Sequence, residues 1–384
     1  MSMLAARAGA SLGPCYHRFM LASRRSFLVS ALGARLLAQA GRGAAFPSAV
    51  RRYPDPLTEF DVYLLTDPAH TSLLPAHYNR AFTRNSANML FASDRPGTLQ
   101  AFRMDLKNAQ TRQLTDVTDL DGASLTLTPD NRSFCYFAAR TLYLANFATL
   151  RERKLYEIPD EWERCPGMTV GPDGTHATFA ERKGETSRLR MVTLAQGTAR
   201  TVVETPFAIS DPIPRPMRAQ ILYRRADGGL GLVNADGGQN RQLKLQAGGI
   251  GPANWAPDGR TLLYLNFPEE ATQLNTIREH TPDTNTDKLV SKTSQFAHFG
   301  FNHDTSVFVG ASRNISSPSL LLLLRVTRRE LTLAEHKASK AELVAPRFSP
   351  DSQRVYFQTD RHGKLAIYDM HVEKLVEKTD LEGQ

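Results

Sequence analysis

The sequence predicts an all-β fold, a seven-bladed β-propeller made of four-stranded blades. The first observation is a turn ending in Asp that returns along the chain, at Pro129-Asp130, Pro172-Asp173, Pro257-Asp258, His303-Asp304 and Pro350-Asp351. The second is the run after each turn, such as RSFCYF, RTLLYLNF or QRVYFQ, whose apolar residues alternate as in a half-buried strand. These turns recur at one or two periods of about 40 to 50 residues, which is the length of a propeller blade.

The turn itself has a physical cause. In Pro172-Asp173-Gly174, proline presets φ, aspartate caps the turn with its own side chain, and glycine accepts a positive φ. Each turn therefore joins two strands of a hairpin. A third run, such as SRLRMVTLAQG, and a fourth, such as TRQLT, complete the repeat, whereas the repeats of a helical solenoid would show a period of 3.6.

Counting the repeats gives seven blades and one spare strand. The predicted blades span 78–120, 121–160, 161–206, 207–248, 249–293, 294–342 and 343–380. The run EFDVYLLTD at 59–67 precedes them, and we expect it to join the last blade and close the ring, which removes an exposed sheet edge. The predicted propeller domain is therefore 59–384, and a β-sandwich and an open repeat array are the alternatives.

The N-terminal segment indicates export. Residues 1–40 contain five arginines and no Asp, Glu or Lys, and Arg24-Arg25 precede the apolar stretch FLVSALGARLLAQA. This pattern is typical of a twin-arginine signal peptide, and the apolar stretch is too short for a permanent membrane anchor. We therefore expect a periplasmic or secreted protein. The alternative is a chance arginine pair before a short amphipathic helix. Residues 41–58, rich in Pro, Arg and small residues, are predicted to be a linker or a surface strap.

Charge and motifs exclude several function classes. Without the five leader arginines the formal net charge falls from +8 to +3, which gives no reason to expect a nucleic-acid partner. The chain has no nucleophile elbow, zinc-protease helix, phosphate loop or dinucleotide fingerprint. Cys135 and Cys165 fall in neighbouring blades, where a disulfide is compatible but not required. We expect a monomer whose partner is an acidic oligosaccharide or a protein.

Candidate site residues come from the inner strands, which line the channel of a propeller. These strands supply His77, Asn79, Glu163, Arg164, Asp211, Arg215, Asn254, His298 and Arg347. Converging arginines suit an acidic sugar, because a guanidinium holds a carboxylate with two parallel hydrogen bonds. The alternative is that they pair with Glu163, Asp211 and their neighbours. Among the histidines, His298 is the one that we expect to take part in the site. The others, including His77, are expected to lie at strand ends, turns or outer strands, where a histidine is usually solvated.

Several segments carry a family resemblance. VYLLTDPAHTSLL, IPDEWERCPG, DPIPRPM and HFGFNHDTSVFVGAS are the most specific of them. With these the chain resembles the oligogalacturonate lyase family of seven-bladed propellers, from about Val62 to Tyr368. The resemblance implies β-elimination of short pectin fragments, in which a histidine takes the C5 proton and a divalent metal, typically manganese, neutralises the uronate carboxylate. It matches His298 to a metal ligand and Arg215 to a substrate-binding arginine.

Other functional positions of the family are replaced in this chain. The histidine pair of the last blade corresponds to 343–345, the glutamine ligand falls near Lys340, the catalytic histidine corresponds to Pro252, and another histidine corresponds to Asp211. One ligand does not make a metal site, because such ions want three or more protein groups. The catalytic residues are thus not identified by the sequence.

Three hypotheses follow. The first is an exported lyase acting on uronic-acid oligosaccharides. The second is an inactive relative that binds an acidic sugar or a protein through Arg164, Arg215 and Arg347. The third is a scaffold similar to the propeller of the TolB translocation protein.

Overall fold

The computed structural model describes residues 41–270 and 272–375. The predicted signal peptide, residues 1–40, lies outside them. Three strands come first: β1 (Ala45–Phe46), β2 (Arg51–Pro54) and β3 (Asp61–Leu64). Two short 3₁₀ helices, Gly122–Ser124 and Ala341–Leu343, interrupt an otherwise all-β chain.

The remaining strands follow blade by blade. They are β4 (Ser72–Leu73), β5 (Asn88–Ser93), β6 (Gln100–Asp105) and β7 (Thr111–Gln113); β8 (Thr126–Leu127), β9 (Ser133–Ala138), β10 (Thr141–Asn146) and β11 (Glu152–Glu157); β12 (Glu163–Val170), β13 (His176–Lys183), β14 (Thr186–Thr193) and β15 (Ala199–Thr205); β16 (Ile209–Pro214), β17 (Gln220–Arg225), β18 (Leu230–Asn234) and β19 (Arg241–Gln242); β20 (Gly249–Trp255), β21 (Leu262–Phe267), β22 (Thr276–Thr281) and β23 (Thr286–Lys292); β24 (Phe296–Phe301), β25 (Val307–Ser312), β26 (Ser319–Leu324) and β27 (Glu330–Glu335); β28 (Arg347–Phe348), β29 (Arg354–Thr359) and β30 (Ala366–His371).

These strands form seven antiparallel sheets arranged as a ring, so the predicted seven-bladed β-propeller is confirmed. The last sheet has the order β2-β3-β30-β29-β28, which combines strands from both ends of the described chain. Tyr63 pairs with Asp369 and Leu64 with Tyr368, so the spare strand predicted at 59–67 does join the last blade. This pairing ties the first strands of the described chain to its last blade and so closes the ring.

The prediction that 41–58 is a linker was wrong in part. β1 pairs with β7 of the first blade, Ala45 opposite Arg112, and β2 pairs with β3, Arg52 opposite Tyr63. Both strands are short and mostly exposed, so they lack the alternation of apolar residues by which strands are recognised. This segment is thus a strap that adds an outer strand to two blades.

The core lies between neighbouring blades. Every residue of β26 is buried, and its leucines pack with residues of the last blade such as Val355 and Phe357. Cys135 and Cys165 are both buried free thiols, so the disulfide that the sequence left open is not formed. Within the described residues no helix has the length and hydropathy needed to cross a bilayer.

Four successive inner strands have irregular starts. The register shifts between Arg164 and Met168 in β12, between Ser210 and Ile213 in β16, between Ile250 and Ala253 in β20, and between Phe296 and His298 in β24. A β-bulge bends the strand and changes the direction of its side chains. The bulges therefore shape one end of the channel.

Candidate functional site

Two cavities lie along the inner strands. The mouth cavity, about 580 Å³, is formed by the early, bulged parts of these strands and includes His77, Tyr78, Asp121, Arg164, Asp211 and Arg224. The arginine cavity, about 330 Å³, is formed by later parts and includes His77, Asn79, Arg80, Arg84, Asn254 and Arg347. His77 lines both, which places it between them.

Most charges of the mouth cavity are paired. Arg164 forms an ion pair with Asp121. The Tyr78 hydroxyl donates to Asp211 Oδ1 at 2.7 Å, and the Ser210 hydroxyl donates to Oδ2 at 2.9 Å. Arg164 does line the channel as predicted, but its carboxylate partner comes from the preceding blade and not from the adjacent Glu163.

Arg224 is a cation of the mouth cavity that sequence reasoning missed. Its Nη1 donates to the Ile250 carbonyl at 3.0 Å and its Nη2 to the Gly251 carbonyl at 2.8 Å. Within the described residues it has no ion pair, so its charge is not neutralised by the protein. Arg224 lies on β17, the second strand of its blade, and only the bulge of β20 brings the two carbonyls within its reach. No signal in the sequence marks that contact.

His77 is more closely involved in the site than expected. Its Nε2 lies 3.1 Å from the Ala253 carbonyl oxygen, which can only accept, so Nε2 carries the proton. Burial lowers the pKa of His77 to about 4, although the bond to Ala253 acts in the opposite direction. The ring is therefore neutral at pH 7, and its Nδ1 is a proton acceptor. His77 lies in a turn, as expected for the histidines other than His298, but this turn is half-buried and its ring contacts Ala253 of an inner strand, so it is not simply solvated.

His298 lies beside His77. The two rings meet edge to face with their centroids 5.1 Å apart, and Nδ1 of the buried His298 has no hydrogen-bond partner. Burial holds the pKa of His298 well below its usual value, and the nearby His77 and Arg347 act in the same direction. His298 is thus buried beside His77 but is not among the residues that line either cavity, and its role as a metal ligand stays a prediction.

A metal ion does not fit this donor set. Among the described residues no three His, Cys, Asp or Glu side chains come together in a group that could hold one. The imidazoles of His77 and His298 are close together, but the positive charge of Arg347 lowers the pKa of both. A guanidinium that repels a proton from these rings also repels a divalent cation.

Arg347 is buried without a carboxylate. It is 8% exposed, and its Nη2 donates to the Pro75 carbonyl oxygen at 2.7 Å. Nε and Nη1 have no partner. Burial lowers the pKa of Arg347 to about 10, so the guanidinium keeps its charge at pH 7.

Arg215 is equally buried, at 1% exposure, but its donors are occupied. Nε donates to the Gly259 carbonyl at 2.6 Å, and Nη1 and Nη2 donate to the two carboxylate oxygens of Asp283 at 2.8 and 2.9 Å. Gln220 and the Trp255 ring complete its surroundings. A substrate carboxylate would have to displace Asp283, so this geometry assigns Arg215 to the contact between the fourth and fifth blades and not to substrate binding.

The sequence is similar to known oligogalacturonate lyases over most of its length. The family model described as oligogalacturonate lyase matches residues 40–186. The oligogalacturonide lyase of Pectobacterium atrosepticum and the oligogalacturonate lyase of Dickeya dadantii are each 24% identical over 377 residues, which cover 85% of this chain and 97% of theirs. The predicted resemblance to the oligogalacturonate lyase family is confirmed.

Solved structures support the same fold for this lyase-like chain. An oligogalacturonate lyase in complex with manganese superposes with a TM-score of 0.81 at 24% identity and covers 86% of this chain and 98% of that one. The oligogalacturonate lyase of Vibrio parahaemolyticus gives the same TM-score at 23% identity, again with 86% and 98% covered. The manganese belongs to the neighbour, and the described residues of the lyase-like chain do not offer a ligand group that fits it.

Proposed function

We propose that this protein cleaves pectin-derived uronic-acid oligosaccharides by β-elimination in the mouth cavity. The observation that carries the proposal is the pairing, in one cavity, of an uncompensated guanidinium on Arg224 with a neutral imidazole on His77. The likeness to curated oligogalacturonate lyases, over 85% of the chain, supports the substrate class. A volume of about 580 Å³ lies within the range of small-ligand sites.

The reaction needs a base and a cation. The Nδ1 atom of His77 takes the proton from C5, the electron pair left behind forms the C4–C5 double bond, the C4–O bond breaks, and the leaving oxygen takes a proton from water. Arg224 reduces the negative charge that builds up on the uronate carboxylate. The entering carboxylate also favours the protonated imidazole and so raises the low pKa of His77 towards a useful value. Manganese has no part in this step, because the donor set does not fit it.

The test is the ultraviolet absorbance of the conjugated product. The folded full-length protein is mixed with di- and trigalacturonate, once with manganese and once with a chelator, and the absorbance is followed. We expect a rise in both mixtures. His77→Asn should slow it by about a hundredfold or more, the usual contribution of a general base.

Controls make this result specific. His371→Asn changes an exposed histidine on β30 and should leave the rate unchanged. Arg224→Met should lower kcat/KM, whereas Arg132→Met, at an exposed turn, should not. If the folded wild-type protein produces no rise in either mixture, the lyase proposal fails.

A binding protein without catalysis is the second candidate. It is favoured by the absence of a metal-capable trio in the described part of the chain, together with Asp211, which lies where the resemblance places a histidine and is held by Tyr78 and Ser210. In that case trigalacturonate binds without an absorbance change, and Arg224→Met weakens the binding. A TolB-like scaffold would show neither effect.

Export remains part of the proposal. It rests on Arg24-Arg25 and the apolar stretch after them, which precede the described residues. A reporter protein fused to residues 1–40 should reach the periplasm through the twin-arginine route, and Arg24→Lys combined with Arg25→Lys should keep it in the cytoplasm. Export of the double variant at the wild-type level would contradict the proposal.

A further inference from the structure

The arginine cavity carries an excess of positive charge. Arg80, Arg84 and Arg347 all line it, and its described lining residues include no Asp or Glu. Burial and the neighbouring Arg84 lower the pKa of Arg80, and Asp173, which is not among the lining residues, acts in the opposite direction. The mouth cavity, by contrast, contains two carboxylates, Asp121, which pairs with Arg164, and Asp211.

Arg347 supplies the buried donors. Folding has removed its guanidinium from water, yet only Nη2 has a hydrogen-bond acceptor, the carbonyl oxygen of Pro75. Nε and Nη1 are left without one. A buried donor without an acceptor is unfavourable, and more so when it is charged, so an arrangement of this kind is stabilised by an acceptor that the protein itself does not supply.

Asn79 supplies a buried acceptor in the same cavity. Its Nδ2 donates to the carbonyl oxygens of Ala123, at 3.1 Å, and Met168, at 2.9 Å, which fixes the orientation of the amide. Its Oδ1 is buried and has no partner. The cavity therefore offers two charged donors and one neutral acceptor.

We propose that the arginine cavity is a second ligand site, which binds the carboxylate of a monosaccharide-sized sugar acid. A carboxylate has two planar oxygens that match the N–H groups of a guanidinium, and a sugar hydroxyl can donate to Asn79 Oδ1. Inorganic phosphate could also satisfy the arginines, and its remaining P–O–H could donate to that oxygen, but phosphate fills much less of the cavity than a sugar ring does. A volume of about 330 Å³ is at the lower end of ligand cavities, which favours one sugar ring over an oligosaccharide.

The choice of galacturonate as a probe rests on the proposed function, whereas the anion site itself rests on Arg347 and Asn79. The lyase proposal and the second-site proposal can therefore be contradicted independently of each other. Absence of the absorbance rise from oligosaccharides would contradict the lyase proposal and leave this site standing. Failure of the Arg347 site to bind galacturonate would leave the lyase proposal standing, because that proposal rests on His77 and Arg224.

The experiment is calorimetric titration of the full-length protein with galacturonate, galactose and inorganic phosphate. Galactose is the matched neutral sugar. We expect galacturonate to bind the wild-type protein. Arg347→Met should weaken this binding by about tenfold or more, as for a lost charged hydrogen bond. Galactose should bind the wild-type protein at least about tenfold more weakly than galacturonate does. Arg132→Met, at an exposed turn, is the matched arginine control and should not change the affinity.

Two results would overturn the proposal. One is an Arg347→Met protein that binds galacturonate as the wild type does; the other is phosphate binding as tight as that of galacturonate. If Arg347→Met does not fold, Arg80→Met takes its place, since Arg80 lines the same cavity and is less buried. Arg80→Met should weaken the binding of galacturonate by a few-fold, because a nearby positive charge is lost. An unchanged affinity would count against the site.

Discussion

Two buried arginines at different places in the ring show how differently one residue type is used. Arg215, between the fourth and fifth blades, donates to a carboxylate, an amide and a backbone carbonyl. Arg347, at the inner strand of the seventh blade, donates to one backbone carbonyl and leaves Nε and Nη1 without partners. Burial is nearly the same at the two positions, so it does not separate a structural arginine from a ligand-binding one.

The number of satisfied donors does separate them. A guanidinium whose donors are satisfied within the protein contributes to stability and has little left for a ligand. One with free donors lowers stability in the empty protein, and a ligand recovers that loss. Opposite changes in stability and binding are therefore expected when each arginine is replaced by methionine.

The largest effect is expected at Arg215. Arg215→Met removes the donors for Gln220 Oε1 and the Gly259 carbonyl, while half-exposed Asp283 can turn to water. We expect the free energy of unfolding to fall by about 2 to 4 kcal/mol, measured by urea unfolding. Arg132→Met at an exposed turn should change it by less than about 0.5 kcal/mol.

The opposite result would also be informative. Unchanged stability of Arg215→Met together with weaker binding of galacturonate would restore Arg215 as a substrate ligand, as the sequence suggested. The number of satisfied donors would then no longer distinguish a structural arginine from a ligand-binding one.

The ion pair of Arg354 and Asp369 in the seventh blade lies between these two cases, because only part of its hydrogen-bonding groups is satisfied. Arg354 donates to Oδ2 of the fully buried Asp369 at 2.7 Å, but Asp369 Oδ1 has no partner. Burial raises the pKa of Asp369 from 3.8 to about 6 in spite of Arg354. Because the pKa of Asp369 is higher in the folded protein than in the unfolded chain, folding favours the protonated carboxyl. The stability this supplies is fully present below about pH 4 and is lost as the pH rises through 6, by about 2 to 3 kcal/mol in total.

Asp369→Asn should remove that dependence. The free energy of unfolding of the wild type relative to the variant is then expected to fall between pH 4 and pH 7, as measured by urea unfolding at both values. Parallel profiles for the two proteins would show that Arg354 compensates the buried carboxylate fully. The rule that free polar atoms mark an unstable arrangement would then not extend from arginine to aspartate.

The architecture could be predicted from the sequence because its signals are local. The turns after Pro129, Pro172, Pro257 and Pro350 fix the blade period, and the alternating run at 59–67 identifies the closing strand. β1 and β2 were missed because their pairing depends on other strands and not on their own pattern.

The site was harder to predict because its contacts join distant segments. Asp283 lies 68 residues from Arg215, and neither residue carries a sign of the other in the sequence. Arg224 reaches the channel from a second strand, so a rule that considers only inner strands misses it. That rule did include His77, but the sequence does not show that its ring is bonded to Ala253. His298 and Arg347 do lie on inner strands, as the rule expects.

The smallest change in stability is expected at Arg347, and it is the most informative one. Arg347→Met removes a buried charge that has one hydrogen bond, so the free energy of unfolding should stay the same or rise by about 1 kcal/mol, in contrast to the loss at Arg215. Galacturonate should raise the Tm of the wild type, because a ligand that binds only the folded state stabilises it, and should raise that of the variant less. A variant that loses several kcal/mol would mean that Arg347 has partners within the fold, and free donors would no longer distinguish a ligand site from a structural contact.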